Sequence, residues 1–203
     1  MTDVLFSIDR AIFLFLNRTI ATPVGDLLWP LITDYDKLWP VRIVLLGVWL
    51  WLMVRGGVRG RTAALMLIPV LFLSDRISSS FIKDLVSRPR PCHEVDGVAI
   101  IQGIHLLVDC GPGKSFPSSH AVNNFAVATL FSFYYRKWLP AFVAGASLVA
   151  LSRPAVGVHY PSDILAGACL GTGIALGVIM VWTRVQNRFF PSLQIPPPPL
   201  PPA

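Results

Sequence analysis

The stretch 138-WLPAFVAGASLVALSRPAVGVHYPSDILAGACLGTGIALGVIMVWT-183 consists of two apolar runs joined by a short polar connection. Residues 138–152 and 161–183 each read as a membrane-crossing helix, since a span needs about 20 apolar residues, fewer when polar ends reach the interface. A soluble bundle would show polar stripes every three or four residues, and these segments mostly do not. The same reading applies to residues 41–55, 61–81 and 120–135. Composition agrees: 54% of the chain is apolar and 14% charged, with a mean hydropathy of +0.62, away from ordinary soluble usage. The fold class expected is therefore all-α, an integral membrane helical bundle with five transmembrane helices.

The first 40 residues read less simply. Residues 3–20 mix Asp9, Arg10, Asn17 and Arg18 with Leu5, Phe6, Ile8, Ile12, Phe13, Phe15 and Leu16. This is either an N-terminal amphipathic helix lying in the interface, the favoured reading, or a sixth, charged span. Trp29, Pro30, Trp39 and Pro40 suggest a broken segment at headgroup depth before the first span. At 203 residues the chain allows one domain, assigned to 1–190. Residues 191–203 form a proline-rich tail, read as a disordered end. No signal peptide is evident, because the N-terminus lacks a basic region and a cleavage site.

Loop charges set the expected orientation. Arg55, Arg59 and Arg61, then Arg136 and Lys137, then Arg184 and Arg188 all fall on one side, which the positive-inside rule places in the cytoplasm. Three polar clusters fall on the other side. Cys92 and Cys110 lie there too, in the 84–118 loop, where an oxidising compartment would permit a bridge; two free thiols are the alternative. Cys169, inside the last span, reads as packing, and no Cys or His pair has zinc-ligand spacing.

Each cluster sits at the end of an apolar run. In the first, Asp75, Ser79 and Lys83 share a helix face; Arg88-Pro89-Arg90-Pro91 then leaves the helix, because each proline disfavours helix in the residue before it. Asp75 in an apolar run is costly unless paired, so it is expected to hold a cation or cap a buried network. In the second, Ser118 or Ser119 N-caps a helix after Pro117, with His120 on its first turn, where free amides and the helix dipole favour an anion. In the third, Asp163 lies four residues from His159 and can accept its Nδ1–H, leaving Nε2 free as a base or nucleophile. Singly these read as headgroup contacts, a helix cap and a loop histidine. Together, three cations, two imidazoles and a carboxylate at one membrane face make a phosphate receptor that can also break a bond to phosphorus.

Lys83 to Arg90-Pro91, Pro117-Ser118-Ser119-His120, and Ser152-Arg153 to His159 to Asp163 together resemble the type 2 phosphatidic acid phosphatase superfamily, whose signature is K-x6-RP, PSGH and SR-x5-H-x3-D. The chain departs from it once: serine at position 119 stands where the family usually has glycine. The resemblance implies a metal-independent lipid phosphate phosphatase with no cofactor. His159 would be the nucleophile, Asp163 would orient it, and His120 would act as acid and then base. Lys83, Arg90, Ser118, Ser119 and Arg153 would bind the phosphate. Arg88 is offered to the second phosphate of a diphosphate.

The expected partners are a membrane and a phosphorylated lipid, not nucleic acid: polyprenyl diphosphate, lipid A phosphate, phosphatidylglycerol phosphate or phosphatidate. The expected location is the bacterial inner membrane, with the site facing the periplasm. Competing readings are a lipid-to-lipid phosphotransferase, a vanadium haloperoxidase and a non-enzymatic lipid-binding or transport protein. Gly167, Gly171, Gly173 and Gly177 read as close packing within the bundle or as an oligomer face.

Overall fold

The computed structural model describes residues 2–190, so the proline-rich tail at 191–203 lies outside it. Among the described residues, eight α-helices account for most of the length. α1 (Thr2–Leu14) continues through a wider turn to Thr19. α2 (Pro23–Thr33) starts where Thr22 accepts the Gly25 amide through its hydroxyl at 3.0 Å, with Pro23 in the first turn. A short turn at Tyr35–Lys37 separates it from α3 (Trp39–Arg55), which has Pro40 at its start. The break before the first expected span thus falls between Trp29-Pro30 and Trp39-Pro40, where the sequence suggests it.

α4 (Gly57–Asp75) follows a turn at Gly57, whose φ of +59° favours glycine. Helical backbone then runs through residues 76–82 into α5 (Lys83–Val86) and stops at Ser87, which is left-handed. The loop beyond carries a two-stranded hairpin, β1 (Glu94–Val95) and β2 (Val98–Ala99), in register Glu94↔Ala99. Asp96 and Gly97, with φ of 53° and 75°, make its turn, as a two-residue hairpin of this hand requires. The remaining helices are α6 (Ser119–Tyr134), α7 (Leu139–Ala155) and α8 (Pro161–Phe189).

α6 packs against α4, α7 and α8. Its core is built from Ala126, Leu130 and Tyr134 against Ala63, Met66 and Val70 of α4 and Ala175 and Ile179 of α8. The α6–α8 approach depends on small residues. A Cβ on Gly171 would stand 2.0 Å from the Val122 carbonyl oxygen, and one on Gly167 would stand 2.8 Å from that of Ser118. Gly173 and Gly177 face open space. The glycine run is therefore two pairs on two faces, and only the first packs the bundle.

Each expected span coincides with a helix. Two helical stretches, Gly57–Val86 and Pro161–Phe189, are long and apolar enough to cross a membrane by length and composition. α3, α6 and α7 have 17, 16 and 17 residues, roughly 25 Å each at 1.5 Å per residue. Large apolar side chains stand exposed on the helices, among them Leu46, Trp51, Ile68, Phe72, Leu165 and Val181. Exposed apolar surface of that extent marks a face that meets a membrane or another protein.

α1 is amphipathic, and its polar residues pack inward: Asp9 is buried with Phe13, as is Asn17 in the turn that follows, while Leu5, Phe6, Ile8, Ile12 and Phe15 stand exposed. Buried polar groups need partners, and Asn17 finds them in the His105 amide and in the carbonyls of His105, Pro154 and Ala155.

Candidate active site

The helix ends bring the three clusters together. α4 with α5, α6, α7 and α8 run alternately up and down, so the C-terminal ends of the first and third meet the N-terminal ends of the second and fourth. At the opposite end, the Tyr135 hydroxyl lies 3.2 Å from where a Gly60 Cβ would be, joining the two basic turns. At the site end, the Ser118 amide donates to the Asp163 carbonyl at 3.1 Å, pinning the start of α6 to the start of α8. His120, on that first turn of α6, lies within electrostatic reach of His159, Arg153, Lys83 and Lys37. Lys83 in turn lies within reach of Arg90, Arg153, Asp75 and Asp163.

His159 is buried in the turn between α7 and α8. Its Nδ1 stands 3.5 Å from Asp163 Oδ2 and 3.4 Å from Ser115 Oγ. Asp163 is fully buried and saturated. Oδ2 accepts from the Tyr160 amide at 2.8 Å and from the Ser115 hydroxyl, and Oδ1 accepts from Arg88 Nη1 at 2.8 Å. Burial lowers the His159 pKa from 6.5 to about 4, against the opposing pull of the Asp163 hydrogen bond. The ring is therefore neutral at physiological pH, with its Nδ1 edge turned to Asp163.

Three of the five phosphate-binding candidates share a second feature. Arg90 Nε, Arg153 Nε and Ser118 Oγ are buried and have no hydrogen-bond partner among the described residues. Such groups are costly and rare, and one explanation for them is a site built for a ligand. Arg90 and Arg153 are nonetheless fixed: Arg90 Nη1 donates to the Cys110 carbonyl, and Arg153 Nη1 donates to Thr33 Oγ1 at 2.6 Å. Ser118 is the N-cap residue by position, but its hydroxyl makes no cap bond. Ser119 Oγ lies 3.1 Å from Ser79 Oγ, which bonds Asp75 Oδ1 at 3.2 Å. The serine that replaces glycine at 119 thus has room, with its side chain directed to α4.

Cys92 and Cys110 form a disulfide, and the loop it closes presses on Arg90. His93 Nδ1 accepts the Arg90 amide at 3.3 Å, and a Cβ on Gly113 would lie 3.1 Å from Arg90 Nη2.

One expectation is corrected. Arg88 is not available to a second phosphate: it binds Asp163, Ser162 and Asp9, and its guanidinium lies 3.9 Å over the Tyr160 ring. Of the two roles expected of Asp75, it forms no ion pair among the described residues and instead ends the Ser119–Ser79 hydrogen-bond chain.

Sequence reasoning missed Ser115, Thr33, Tyr35, Lys37 and Asp9. Tyr35 donates to Asn124 Oδ1 at 3.0 Å, so the segment after α2 lies over the start of α6. The polar run Thr33-Asp34-Tyr35-Asp36-Lys37 was the available signal. No group of three or more His, Cys, Asp or Glu among the described residues is placed to hold a metal ion.

Residues 62–188 match the family model "PAP2 superfamily". The chain is 36% identical over 104 residues to a lipid A 4'-phosphatase of Bacteroides thetaiotaomicron, a match covering 48% of this chain and 44% of that protein. It is 25% identical over 189 residues to a putative undecaprenyl-diphosphatase of Escherichia coli, covering 93% and 89%. In fold it is similar to the crystal structure of the first transmembrane PAP2 type phosphatidylglycerolphosphate phosphatase from Bacillus subtilis. The TM-score is 0.68 at 20% identity, over 92% of this chain and 89% of that one. The chain thus spans less than half the length of the lipid A 4'-phosphatase and most of the length of the other two.

Proposed function

The chain belongs to the PAP2 superfamily, and we propose that it is a membrane lipid phosphatase that hydrolyses a phosphate monoester or diphosphate through a phosphohistidine. The observation that carries this reading is the three unpartnered buried donors of Arg90, Arg153 and Ser118, set beside a neutral His159. An equatorial phosphate oxygen would satisfy each donor. Fixed donors of this kind stabilise the charge-rich transition state without reorganising.

In the first step His159 Nε2 attacks phosphorus while the bond from phosphorus to the lipid oxygen breaks. His120, charged once the anionic phosphate is bound beside it, gives its proton to that leaving oxygen. Asp163 holds the Nδ1 edge and stabilises the imidazolium that forms. In the second step His120 takes a proton from water, the oxygen attacks phosphorus, and the phosphorus–nitrogen bond breaks to release inorganic phosphate. Lys83, Arg90, Arg153, the Ser118 hydroxyl and the Ser119 amide bind phosphate in both steps.

The lipid A 4'-phosphatase and the putative undecaprenyl-diphosphatase among its relatives support lipid A phosphate or polyprenyl diphosphate as substrate. We further propose a multi-pass protein of a bacterial inner membrane, five helices crossing, with the site facing the periplasm. Arg55, Arg59, Arg61, Arg136, Lys137, Arg184 and Arg188 at the far end favour this orientation, as does a disulfide at the site end. The test is phosphate release by the purified protein from polyprenyl diphosphate, lipid A, phosphatidylglycerol phosphate and phosphatidate. Release from at least one, lost in His159→Ala, is expected. Full activity in that variant, or no release from any, overturns the reading.

A further inference from the structure

We propose that Asp9 and Arg88 form a positioning unit, supplied in part by α1, that holds Asp163 and through it His159 in line for attack on phosphorus. The inference rests on the assignment of His159 as nucleophile. Its basis is a closed set of bonds. Asp9 is buried; its Oδ1 accepts the Ser162 amide at 2.9 Å, and its Oδ2 accepts the Ser162 hydroxyl at 2.5 Å and Arg88 Nη2 at 2.7 Å. Arg88 Nη1 reaches both Ser162 Oγ at 2.7 Å and Asp163 Oδ1 at 2.8 Å. The guanidinium is sandwiched as well, 3.9 Å from the Tyr160 ring centre and 5.1 Å from that of Phe6 in α1.

The geometry separates this unit from substrate binding. Arg88 takes one oxygen of the Asp163 carboxylate and His159 faces the other, so the guanidinium braces the carboxylate from its far side. Arg88 also balances two buried carboxylates, and an unpaired buried charge is expensive. Fixing Oδ1 leaves Oδ2 to Tyr160, Ser115 and His159, which sets the plane of the carboxylate and hence of the imidazole. Partners of this outer kind commonly decide how well an inner group is aimed. Asp9 lies outside the segment that the family model matches, residues 62–188. On this account the site is finished by a helix far away in sequence, and the polar residue that α1 turns inward acquires a task.

The experiment compares wild type, Asp9→Asn, Arg88→Gln, the double variant and His159→Ala. The substrate is whichever of polyprenyl diphosphate, lipid A, phosphatidylglycerol phosphate or phosphatidate wild type turns over fastest in detergent. Asp9→Asn keeps the shape and removes the charge. It should lower kcat about ten- to a hundredfold with KM changed less than about twofold, because a misaimed nucleophile slows chemistry without weakening binding. The double variant should lose no more than Arg88→Gln alone, as residues acting as one unit are not additive. Should Asp9→Asn fail to fold in detergent, Ser162→Ala removes the hydroxyl that bridges the pair and should itself lower kcat severalfold. Wild-type kcat in a folded Asp9→Asn or Ser162→Ala variant overturns the inference while leaving the phosphatase reading intact. A raised KM with unchanged kcat also overturns it, since Arg88 would then touch substrate. An active His159→Ala overturns the nucleophile assignment instead.

Discussion

His159 has its pKa lowered to about 4 because burial penalises the imidazolium more than Asp163 can favour it. A nucleophile must be unprotonated, so falling pH removes it only as the medium approaches that value. The acid limb of kcat/KM should therefore lie well below the 6.5 of an unperturbed histidine, near pH 4. A pH–rate series on an acid-stable substrate checks it, and a limb near 6.5 would show an exposed or differently paired ring. Ser118 offers a second test at this scale. Its hydroxyl is buried, unpartnered and outside the cap of its own helix. Ser118→Ala should cost little stability yet slow turnover by about tenfold, the scale of one lost hydrogen bond to a charged group. Kinetics alongside thermal unfolding in detergent separate the two. His120, His159, Asp163, Lys83, Arg90 and Arg153 were legible in the sequence because fixed spacing along two helix junctions carries them. Asp9 was not, since it reaches Arg88 and Ser162 only after distant segments dock; Ser115 stands two residues before Pro117 in the second cluster, but its bond to Asp163 shows only in the fold.

At the scale of elements, the α6–α8 contact and the 84–118 loop carry the site. Because Ser118 and Asp163 are joined backbone to backbone, any wedge between α6 and α8 also parts the two histidines. Gly171→Ala would place a methyl 2.0 Å from the Val122 oxygen and should destabilise and inactivate the protein. Gly173→Ala meets nothing within 4 Å and should be silent. Paired unfolding midpoints and rates read both. In the loop, Cys92 follows Arg90 by two residues and the Cys110 carbonyl receives the Arg90 guanidinium, so the disulfide fastens both sides of one proposed phosphate ligand. Reduction, or Cys92→Ser with Cys110→Ser, should raise KM severalfold by freeing Arg90. An unchanged KM in the reduced protein, its thiols counted, would detach the bridge from the site. The helices at the five expected spans were readable from apolar runs alone, with ends within a few residues in most cases. The helix α2 was not, and neither were the partners of Asp9 and Asn17, which lie on segments far away in sequence.

Across the whole molecule, alternating helix direction sorts charge. Basic turns gather at one end, and Lys83, Arg90 and Arg153, the proposed phosphate receptor, gather with the disulfide at the other. On the proposed reading Lys83, Arg90 and Arg153 supply the charge that a magnesium ion would bring to phosphoryl transfer, and among the described residues no group of three or more His, Cys, Asp or Glu is placed to hold one. Hydrolysis should accordingly persist in EDTA and gain little from added magnesium, as a chelation series with phosphate release would show. The most direct test of convergence of His120 and His159 on one phosphorus atom is trapping of the intermediate by an alkaline quench of the enzyme on a lipid diphosphate radiolabelled at its terminal phosphate, followed by mapping of the labelled peptide. The account predicts base-stable, acid-labile label on His159, more of it in His120→Ala, where water is no longer activated, and none in His159→Ala. Label on another residue, or turnover with His159 replaced, would contradict it.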